Sequence, residues 1–272
     1  MGVSVRQWVL ESYRSLLGSM KFGSKGTIIW DSWDMWVLEI AVLPLAQISF
    51  FYFLVGYAGY SPSMVENVVV GNAVQTMTFS SVFAVANITS SDKWQGTLSS
   101  LLVTPANRAS MIMGRAIYQI IMSLMISITG LLYGYFLFGV NFSSADYPML
   151  ALSLVLTSMS MISFGLLIST IGLYMRTALI VANIFLFIGL LVCGVNFPVS
   201  ALPSWLQILS YAIPLTYGLQ AIRGSIAGAS AASLILPISQ LLLTGIIVFG
   251  FALGLTNSFE KLSRKSGKME VY

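Results

Sequence analysis

The stretch TALIVANIFLFIGLLVCGVN, from Thr177 to Asn196, decides the class of this fold, because it contains no charged side chain. An α-helix needs roughly 20 apolar residues to cross a bilayer, and this stretch has that length. Polar residues do not recur at every second position, as they would in the strands of a transmembrane barrel. The stretch therefore predicts a membrane-spanning helix.

The composition of the whole chain supports the same interpretation. Of its 272 residues, 57% are hydrophobic and only 8% are charged, whereas soluble domains carry about 25% charged residues. Six segments have the length and apolar character of a spanning helix: 37–56, 68–88, 115–138, 148–171, 177–196 and 234–255. We predict an all-α membrane protein with six transmembrane helices.

The basic residues predict the orientation of these helices, because Lys and Arg stay in cytoplasmic segments. Of the 13 basic residues, all except Arg223 lie before span one, between spans two and three or at the edge of span three (Arg115), between spans four and five, or after span six. These segments share one side of the membrane. The prediction is a multi-pass protein of the cell membrane with both termini in the cytoplasm.

The predicted domain of six spans, 36–256, is flanked by two cytoplasmic segments. In the first, 1–35, apolar residues recur at helical spacing from Val5 to Met20, which is typical of an amphipathic helix in the membrane interface. The helix either anchors the chain or contacts a partner. The second segment, 257–272, is a basic tail.

Residues 197–230 are apolar and aromatic but are interrupted by prolines. Two pieces between these prolines, Leu202–Ile213 and Leu215–Ile226, are too short to span a bilayer. We predict a re-entrant or interfacial helical hairpin on the outer side. Arg223 lies in it, and either binds a lipid phosphate or caps and pairs within the hairpin.

The chain shows no residues for visible catalytic chemistry. It has no histidine and a single cysteine, which removes the commonest metal ligand and general base. Paired carboxylates and a phosphate-binding loop are also missing from the sequence, so neither a catalytic site nor a metal site is predicted. Proton-coupled and ion-coupled carriers place ionisable groups inside their spans, and this chain has almost none there.

The spans contain amides and glycines instead. The amides Gln47, Asn72, Gln75 and Asn183 either join helices by hydrogen bonds or line a polar pathway. Two Gly-x-x-x-Gly pairs, Gly130 with Gly134 and Gly250 with Gly254, predict close packing between helices.

Two motifs carry a resemblance to a known family. The first is SDKWQGTLSSLLVTPANRASMIMGR, Ser91–Arg115, and the second is PLTYGLQAIRG, Pro214–Gly224. They resemble the loop and the outer segment of ABC-2 type permeases, the membrane subunits of ATP-binding cassette exporters. The matching positions of the first motif are Gly96, Thr97, Leu98, Leu101, Leu102, Thr104, Pro105, Arg108, Gly114 and Arg115. The family usually has glutamates around Gly-Thr-Leu, whereas this chain has Asp92, Gln95 and Ser99.

The resemblance implies that the loop at 89–111 is a coupling loop, which docks on a separate nucleotide-binding ATPase subunit. The leucines of this loop, Leu98, Leu101 and Leu102, have the i, i+3, i+4 spacing of a helical ridge. Thr97 can cap the ridge helix, and Thr104 with Pro105 ends it. Asp92 and Arg108 complete the predicted coupling residues.

The resemblance also implies a dimer of permease subunits, identical or different, with the substrate moving between them near spans one, two and five. Pro214, Tyr217 and Arg223 would belong to the outer gate, and ATP and Mg would bind the partner rather than this chain. We predict an exporter subunit, not an enzyme, for an amphiphile, drug, lipid or lipid-linked glycan, with membrane lipid but no nucleic acid as a further partner. A secondary carrier and an oligomeric channel or structural subunit without an ATPase are the alternatives.

Overall fold

The computed structural model describes residues 33–94, 108–174 and 178–266, together with Gly18 and Gly96. Within these ranges the chain is helical and has no strand, so the predicted all-α class is confirmed. The elements are α1 (Trp33–Val37), a π-helical turn (Leu38–Val42), α2 (Leu43–Tyr57), α3 (Pro62–Trp94), α4 (Arg108–Phe136), α5 (Tyr147–Tyr174), α6 (Ala178–Val192), a 3₁₀ turn (Val199–Ala201), α7 (Ser204–Ala212), α8 (Pro214–Ile226) and α9 (Ala231–Ser266). The predicted interfacial helix from Val5 to Met20 lies outside the described residues, apart from Gly18.

Five described helices are long and apolar enough to cross a membrane: Asp34–Tyr57, Pro62–Ile88, Gly114–Phe136, Tyr147–Ile171 and Ala231–Thr256. They correspond to predicted spans one to four and six. The predicted fifth span instead contains a shorter apolar helix, because α6 ends at Val192 and Gly194 turns the chain with a φ of +82°. The 15 residues of α6 rise about 22 Å, against about 30 Å of hydrocarbon. The sixth crossing therefore stays a prediction.

α3 is the central helix, and 83% of its apolar segment is buried inside the protein. It contacts α2, α4, α5, α6 and α8. A Cβ added to Gly130 of α4 would lie 3.0 Å from the Cβ of Ala73, and one added to Gly134 would lie 3.2 Å from a methyl of Val69. The predicted close packing at this Gly-x-x-x-Gly pair is confirmed.

The second Gly-x-x-x-Gly pair behaves differently. A Cβ added to Gly250 or Gly254 of α9 would meet no described atom within 4 Å. The predicted close packing at this pair is therefore wrong as far as the described residues are concerned. The face of α9 that carries the pair points away from the other described helices.

The α7–α8 hairpin follows α6, and prolines begin its pieces. Pro203 precedes α7 and Pro214 occupies the first turn of α8, where the fixed φ of proline and its missing N–H are tolerated. The two predicted pieces therefore agree with the two helices. α8 is buried along most of its length, whereas α7 exposes one face. The re-entrant placement of this hairpin stays a prediction.

We use two names for the ends of the bundle. The hairpin end contains α7, α8 and the beginning of α3, as the hydrogen bond from Arg223 to the carbonyl of Asn67 shows. The loop end is opposite, where α3 ends at Trp94 and α4 begins at Arg108.

At the loop end, α3 extends further than predicted, because no Gly or Pro interrupts residues 89–94. α3 and α4 thus include residues 89–94 and 108–111 of the predicted coupling loop, 89–111.

The opposite flank of the predicted six-span domain also differs from the prediction. α9 continues to Ser266, past the predicted end of span six at 255. The beginning of the predicted basic tail is therefore a continuation of the last spanning helix.

Candidate functional site

A chain of three amides joins α2, α3 and the turn after α6. The Nε2 of Gln47 donates to the Oδ1 of Asn72 at 3.2 Å. The Nδ2 of Asn72 donates to the Oδ1 of Asn196 at 2.8 Å and to the carbonyl oxygen of Val68 at 2.9 Å. Asn72 is fully buried, and lipid offers an amide no hydrogen-bond partner. The chain of amides therefore holds three elements together near the hairpin end.

Gln75 lies one turn further along α3 and faces α6. Its side chain is almost fully buried, and its Nε2 donates to the carbonyl oxygen of Leu186 at 3.3 Å. Its Oε1 is buried without a hydrogen-bond partner among the described residues. A buried acceptor without a donor costs about 1–3 kcal/mol. Gln75 can therefore accept a hydrogen bond from a water or ligand donor that reaches it.

Phe79 marks an opening on α3. Every residue from Val68 to Thr78 is buried, whereas Phe79 is 42% exposed. Its ring stacks on that of Phe83, with the centroids 4.4 Å apart. At about 100° per residue, Phe79 points between the direction of Asn72, which bonds α2, and that of Gln75, which bonds α6. We call this opening between α2 and α6, with α3 as its floor, the α2–α6 crevice.

Asn183 lies on the flank of α6 that borders this crevice. Phe185 stacks on Phe164 of α5, with ring centroids 4.6 Å apart, and therefore marks the opposite flank of α6. Leu186, between the two flanks, faces α3 through its bond from Gln75. Asn183 is exposed and its Nδ2 donates only to the carbonyl oxygen of Leu179, at 2.9 Å, among the contacts described. Its amide oxygen therefore borders the crevice near the level of Phe79.

The structure thus brings the four amides predicted from the sequence to one side of α3. Gln47, Asn72 and Gln75 make hydrogen bonds between elements, as the first interpretation predicts, and the polar pathway stays a prediction. Asn196 and Phe79 belong to the same site and were missed. Only the position of Asn196 at the end of a long apolar run could have drawn attention to it.

The guanidinium of Arg223 in α8 donates hydrogen bonds to three backbone carbonyl groups. Its Nη1 donates to the oxygen of Gly194 at 2.7 Å, and its Nη2 donates to the oxygens of Val195 at 2.9 Å and Asn67 at 2.8 Å. The prediction left open lipid binding or capping and pairing within the hairpin, whereas the contacts found join the hairpin to the turn after α6 and to α3. Burial lowers the pKa of this guanidinium to about 10, so it stays charged at neutral pH. We call these contacts the Arg223 latch.

Gly71 of α3 makes room for the latch. A Cβ at this position would collide with the carbonyl group of Val195 and would lie 2.7 Å from the Nη2 of Arg223. The latch therefore needs glycine here. It ties α8 to the start of α3 and to the turn that also carries Asn196.

The other two predicted gate residues join the hairpin to itself. Pro214 is buried in the first turn of α8. The hydroxyl of Tyr217 donates to the carbonyl oxygen of Tyr211 at 3.0 Å, and the two rings stack with centroids 6.2 Å apart. α7 and α8 are therefore fixed to each other as one unit.

The predicted coupling residues are described only at their margins. Asp92 belongs to the last turns of α3, Gly96 has a φ of +66°, and Arg108 is the first residue of α4. The ridge leucines Leu98, Leu101 and Leu102, with Thr97, Thr104 and Pro105, lie outside the described residues.

A further polar link near the loop end was not predicted. The hydroxyl of Ser80 donates to the Oε1 of Glu39 at 2.9 Å, and the Nε2 of Gln119 donates to the Oγ of Ser80 at 3.0 Å. Glu39 lies in the π-helical turn, which precedes Pro44. Proline lacks the N–H that an α-helix needs, so the ladder shifts and Leu43 donates to Leu38. The link joins spans one, two and three, and no group of three metal-binding side chains occurs among the described residues.

A multi-pass helical membrane protein with a polar crevice along its central helix and a latched hairpin at one end is the class that these features define. Residues 28–227 match the ABC-2 type transporter family, and the chain belongs to that family. The resemblance predicted from the two motifs is thereby confirmed.

Among curated proteins, the chain is similar to the probable multidrug ABC transporter permease YbhR of Escherichia coli K12 and of Escherichia coli O157:H7. Each is 28% identical over 126 residues, which cover 46% of this chain and 34% of the relative. The match thus spans about a third of the length of these relatives.

Proposed function

We propose that this chain is the permease subunit of an ATP-driven exporter and that its substrate moves along the α2–α6 crevice. The observation that carries the proposal is the exposed Phe79, bordered by amides, directly after the fully buried stretch of α3 from Val68 to Thr78. Membership of the ABC-2 family supports transport as the activity. A second copy of the chain, or a related chain, would close the open side of the crevice.

The side chains of the crevice suit an amphiphile. The stacked rings of Phe79 and Phe83 offer an apolar surface, and Asn183 offers an exposed amide oxygen at its border. The Oε1 of Gln75 is buried beside this surface and has no described donor. The amides and rings that define the crevice carry no charge. A drug, lipid or lipid-linked glycan with both apolar and hydrogen-bonding groups fits this combination. The name of the curated relatives, a multidrug permease, is in line with such a substrate.

The Arg223 latch and the amide chain would form the gate of this pathway. Both lie at the hairpin end of the crevice, and the turn from Gly194 to Asn196 takes part in both. If this end is the outer side, as the basic residues predict, the structure is closed toward the outside. Release of the substrate then requires α8 and this turn to move away from α3.

Energy would come from an ATPase subunit that binds ATP and Mg and docks on the loop between α3 and α4. The predicted ridge of Leu98, Leu101 and Leu102 would sit in a groove of that subunit. Because α3 ends at this loop and also forms the floor of the crevice, a push on the loop reaches the pathway through one continuous helix.

Copurification tests the proposal. Tagged wild-type chain, extracted in mild detergent from its native cell, should retain an ATPase subunit, and Leu101→Asp should lose it while still inserting in the membrane. The matched control is Ser100→Asp, which adds the same charge to the opposite side of the predicted ridge helix and should retain the partner. If the wild-type chain retains no ATPase, the exporter proposal is wrong. If both variants retain the partner, the ridge is not the docking element.

The secondary carrier is the second candidate, and the near absence of ionisable groups in the spans argues against it. Liposomes that contain the purified chain without the ATPase should not accumulate a fluorescent amphiphile in response to a proton or sodium gradient. Accumulation under those conditions would favour the carrier.

A further inference from the structure

Glu39 is an acidic side chain inside a candidate span. That span begins at Asp34, and the two residues linked to Glu39, Ser80 and Gln119, belong to the second and third candidate spans. At about 1.5 Å per residue, the three linked positions lie about 8 to 12 Å inside the loop-end limits of their spans. A charge at such a depth is costly, and ionisable residues found there mark substrate or ion sites by default. Glu39 therefore calls for a partner of opposite charge.

The π-helical turn aims Glu39 at α3. Gln47 of α2 faces α3, because it donates to Asn72. In a regular α-helix, a residue eight positions before Gln47 would point about 80° away from it. The π-helical turn has an extra residue in its turn, which reduces the difference to about 20° and brings Glu39 to the same face as Gln47. The turn thus directs toward α3 a charge that a regular helix would direct elsewhere.

Two buried side chains hold the carboxylate of Glu39. Ser80 and Gln119 are 5% and 8% exposed, and Gln119 donates to the same hydroxyl that donates to Glu39. A carboxylate can accept about four hydrogen bonds, and the described residues supply one, from a neutral group. A glutamine at this position could accept the same bond without a charge. The contact with Ser80 therefore positions the side chain but does not account for its being an acid.

The aromatic pair of the α2–α6 crevice lies beside this carboxylate. Ser80 directly follows Phe79, and Phe83 is three residues further along α3, a spacing at which helix side chains are about 5–6 Å apart at Cβ. The two rings are stacked, and both Phe79 and Glu39 are accessible, at least in part, to a ligand. Aromatic rings and a carboxylate together suit an organic cation, through cation–π attraction and opposite charge.

We propose that Glu39 is a specificity-determining residue that binds the cationic group of the substrate, while Phe79 and Phe83 contact its apolar part. The inference rests on the proposed exporter function and narrows its substrate class to lipophilic cations, such as amines and quaternary ammonium compounds. With the loop end on the cytoplasmic side, as the basic residues predict, Glu39 meets substrates that enter from that side.

Equilibrium binding to the full chain in phosphatidylcholine nanodiscs, without nucleotide, tests this role. The probes are a dansyl-labelled alkyl trimethylammonium ion and its neutral 3,3-dimethylbutyl analogue, in which carbon replaces the charged nitrogen. Glu39→Gln keeps an acceptor for Ser80 and should weaken binding of the cation roughly tenfold or more, while binding of the neutral analogue should change little. Glu66→Gln is the matched control, because it removes an exposed acid at the hairpin end, and it should leave both affinities unchanged.

Three results would overturn the proposal. The first is that the wild-type chain binds the cation no better than empty nanodiscs do. The second is an equal loss of affinity for both probes in Glu39→Gln, which would mean that the residue shapes the crevice without recognising charge. The third is an unchanged affinity for both probes, which would mean that a basic group of the protein neutralises the carboxylate, with Arg115, one turn from Gln119 on α4, as the candidate.

A second variant covers the case in which Glu39→Gln does not fold. Ser80→Ala removes only the hydroxyl that holds the carboxylate, and it should lower the preference for the cation over the neutral analogue several-fold. An unchanged preference in Ser80→Ala would overturn the proposal in the same way. Binding needs neither ATP hydrolysis nor a retained ATPase, so failure of this inference and failure of the exporter proposal are distinguishable.

Discussion

α3 and α9 are both long enough to cross a membrane, yet they are built in opposite ways. Inside the protein, 83% of the apolar segment of α3 is buried, against 17% of that of α9. α3 is the least apolar of the five candidate spans and carries Asn72 and Gln75, whereas α9 is the most apolar. In a soluble protein the more apolar helix would be the buried one. Here lipid solvates apolar side chains but cannot satisfy amides, so the polar helix takes the centre.

Charge reversal at Arg223 should disturb the surroundings of α3 most. Arg223→Glu removes the three bonds of the latch and turns a carboxylate toward the carbonyl oxygens of Gly194, Val195 and Asn67. Hydrogen bonds to charged groups contribute about 1.5–3 kcal/mol each, so we expect a loss of at least about 3 kcal/mol in the free energy of unfolding. Thermal unfolding in nanodiscs measures it.

The control for this substitution is Arg223→Lys, which keeps the charge but not the planar guanidinium. The free energy of unfolding of this variant should lie between those of the wild type and the glutamate variant. Transport should be impaired by Arg223→Glu while the ATPase stays bound, because the latch is at the end of the molecule away from the loop. Wild-type stability in both variants would show that α8 does not depend on the latch.

The next largest effect should come from a glycine pair, one on each helix. Gly71→Ala on α3 places a methyl against the carbonyl of Val195 and the guanidinium of Arg223, while Gly250→Ala on α9 meets no described atom within 4 Å. Overpacking costs about 1–3 kcal/mol, and exposed substitutions stay within about 0.5 kcal/mol. Unfolding midpoints of the two variants should therefore separate clearly. Equal midpoints would mean that α3 is no more tightly packed than α9.

The features of the fold that could be predicted from the sequence are those that apolar length and proline positions determine directly. The helical class and most of the spans follow from apolar length, and the two pieces of the hairpin follow from Pro203 and Pro214, which can begin a helix but not continue one. α6 ended before its predicted boundary because Gly194 takes a positive φ, and no apolar count reveals a dihedral angle.

The partners of the site residues could not be predicted in the same way. Asn72 and Asn196 are 124 positions apart in the chain, and which face of a uniformly apolar run points inward is decided by the packing of the other helices. Residues 197–230 contain no acidic side chain that could pair with Arg223. Its acceptors are backbone carbonyl oxygens, which every residue has, so no residue type indicates them. Phe79 is one of 16 phenylalanines, and only its exposure on a buried helix sets it apart.

The smallest effect on stability, and the most informative one on function, should come from Gln75→Leu. The change loses one hydrogen bond, of about 0.5–1.5 kcal/mol, but also removes a buried oxygen that has no described donor. The loss of the hydrogen bond and the gain from removing the unpaired oxygen nearly cancel in the free energy of unfolding, so the variant should fold. Gln240→Leu on α9 is the matched substitution away from the crevice.

Transport then distinguishes a pathway amide from a packing amide. The assay compares the transport rates of two amphiphiles that differ only in carrying a hydroxyl or a methoxy group, in liposomes that contain the complete exporter. Gln75→Leu should change the two rates unequally. Gln75→Leu should slow the hydroxyl compound more, because the Oε1 of Gln75 can accept a hydrogen bond from it and not from the ether. Gln240→Leu should leave the ratio of the two rates unchanged. If Gln75→Leu also leaves that ratio unchanged, the substrate does not reach Gln75, and the polarity of α3 serves only to hold the helices together.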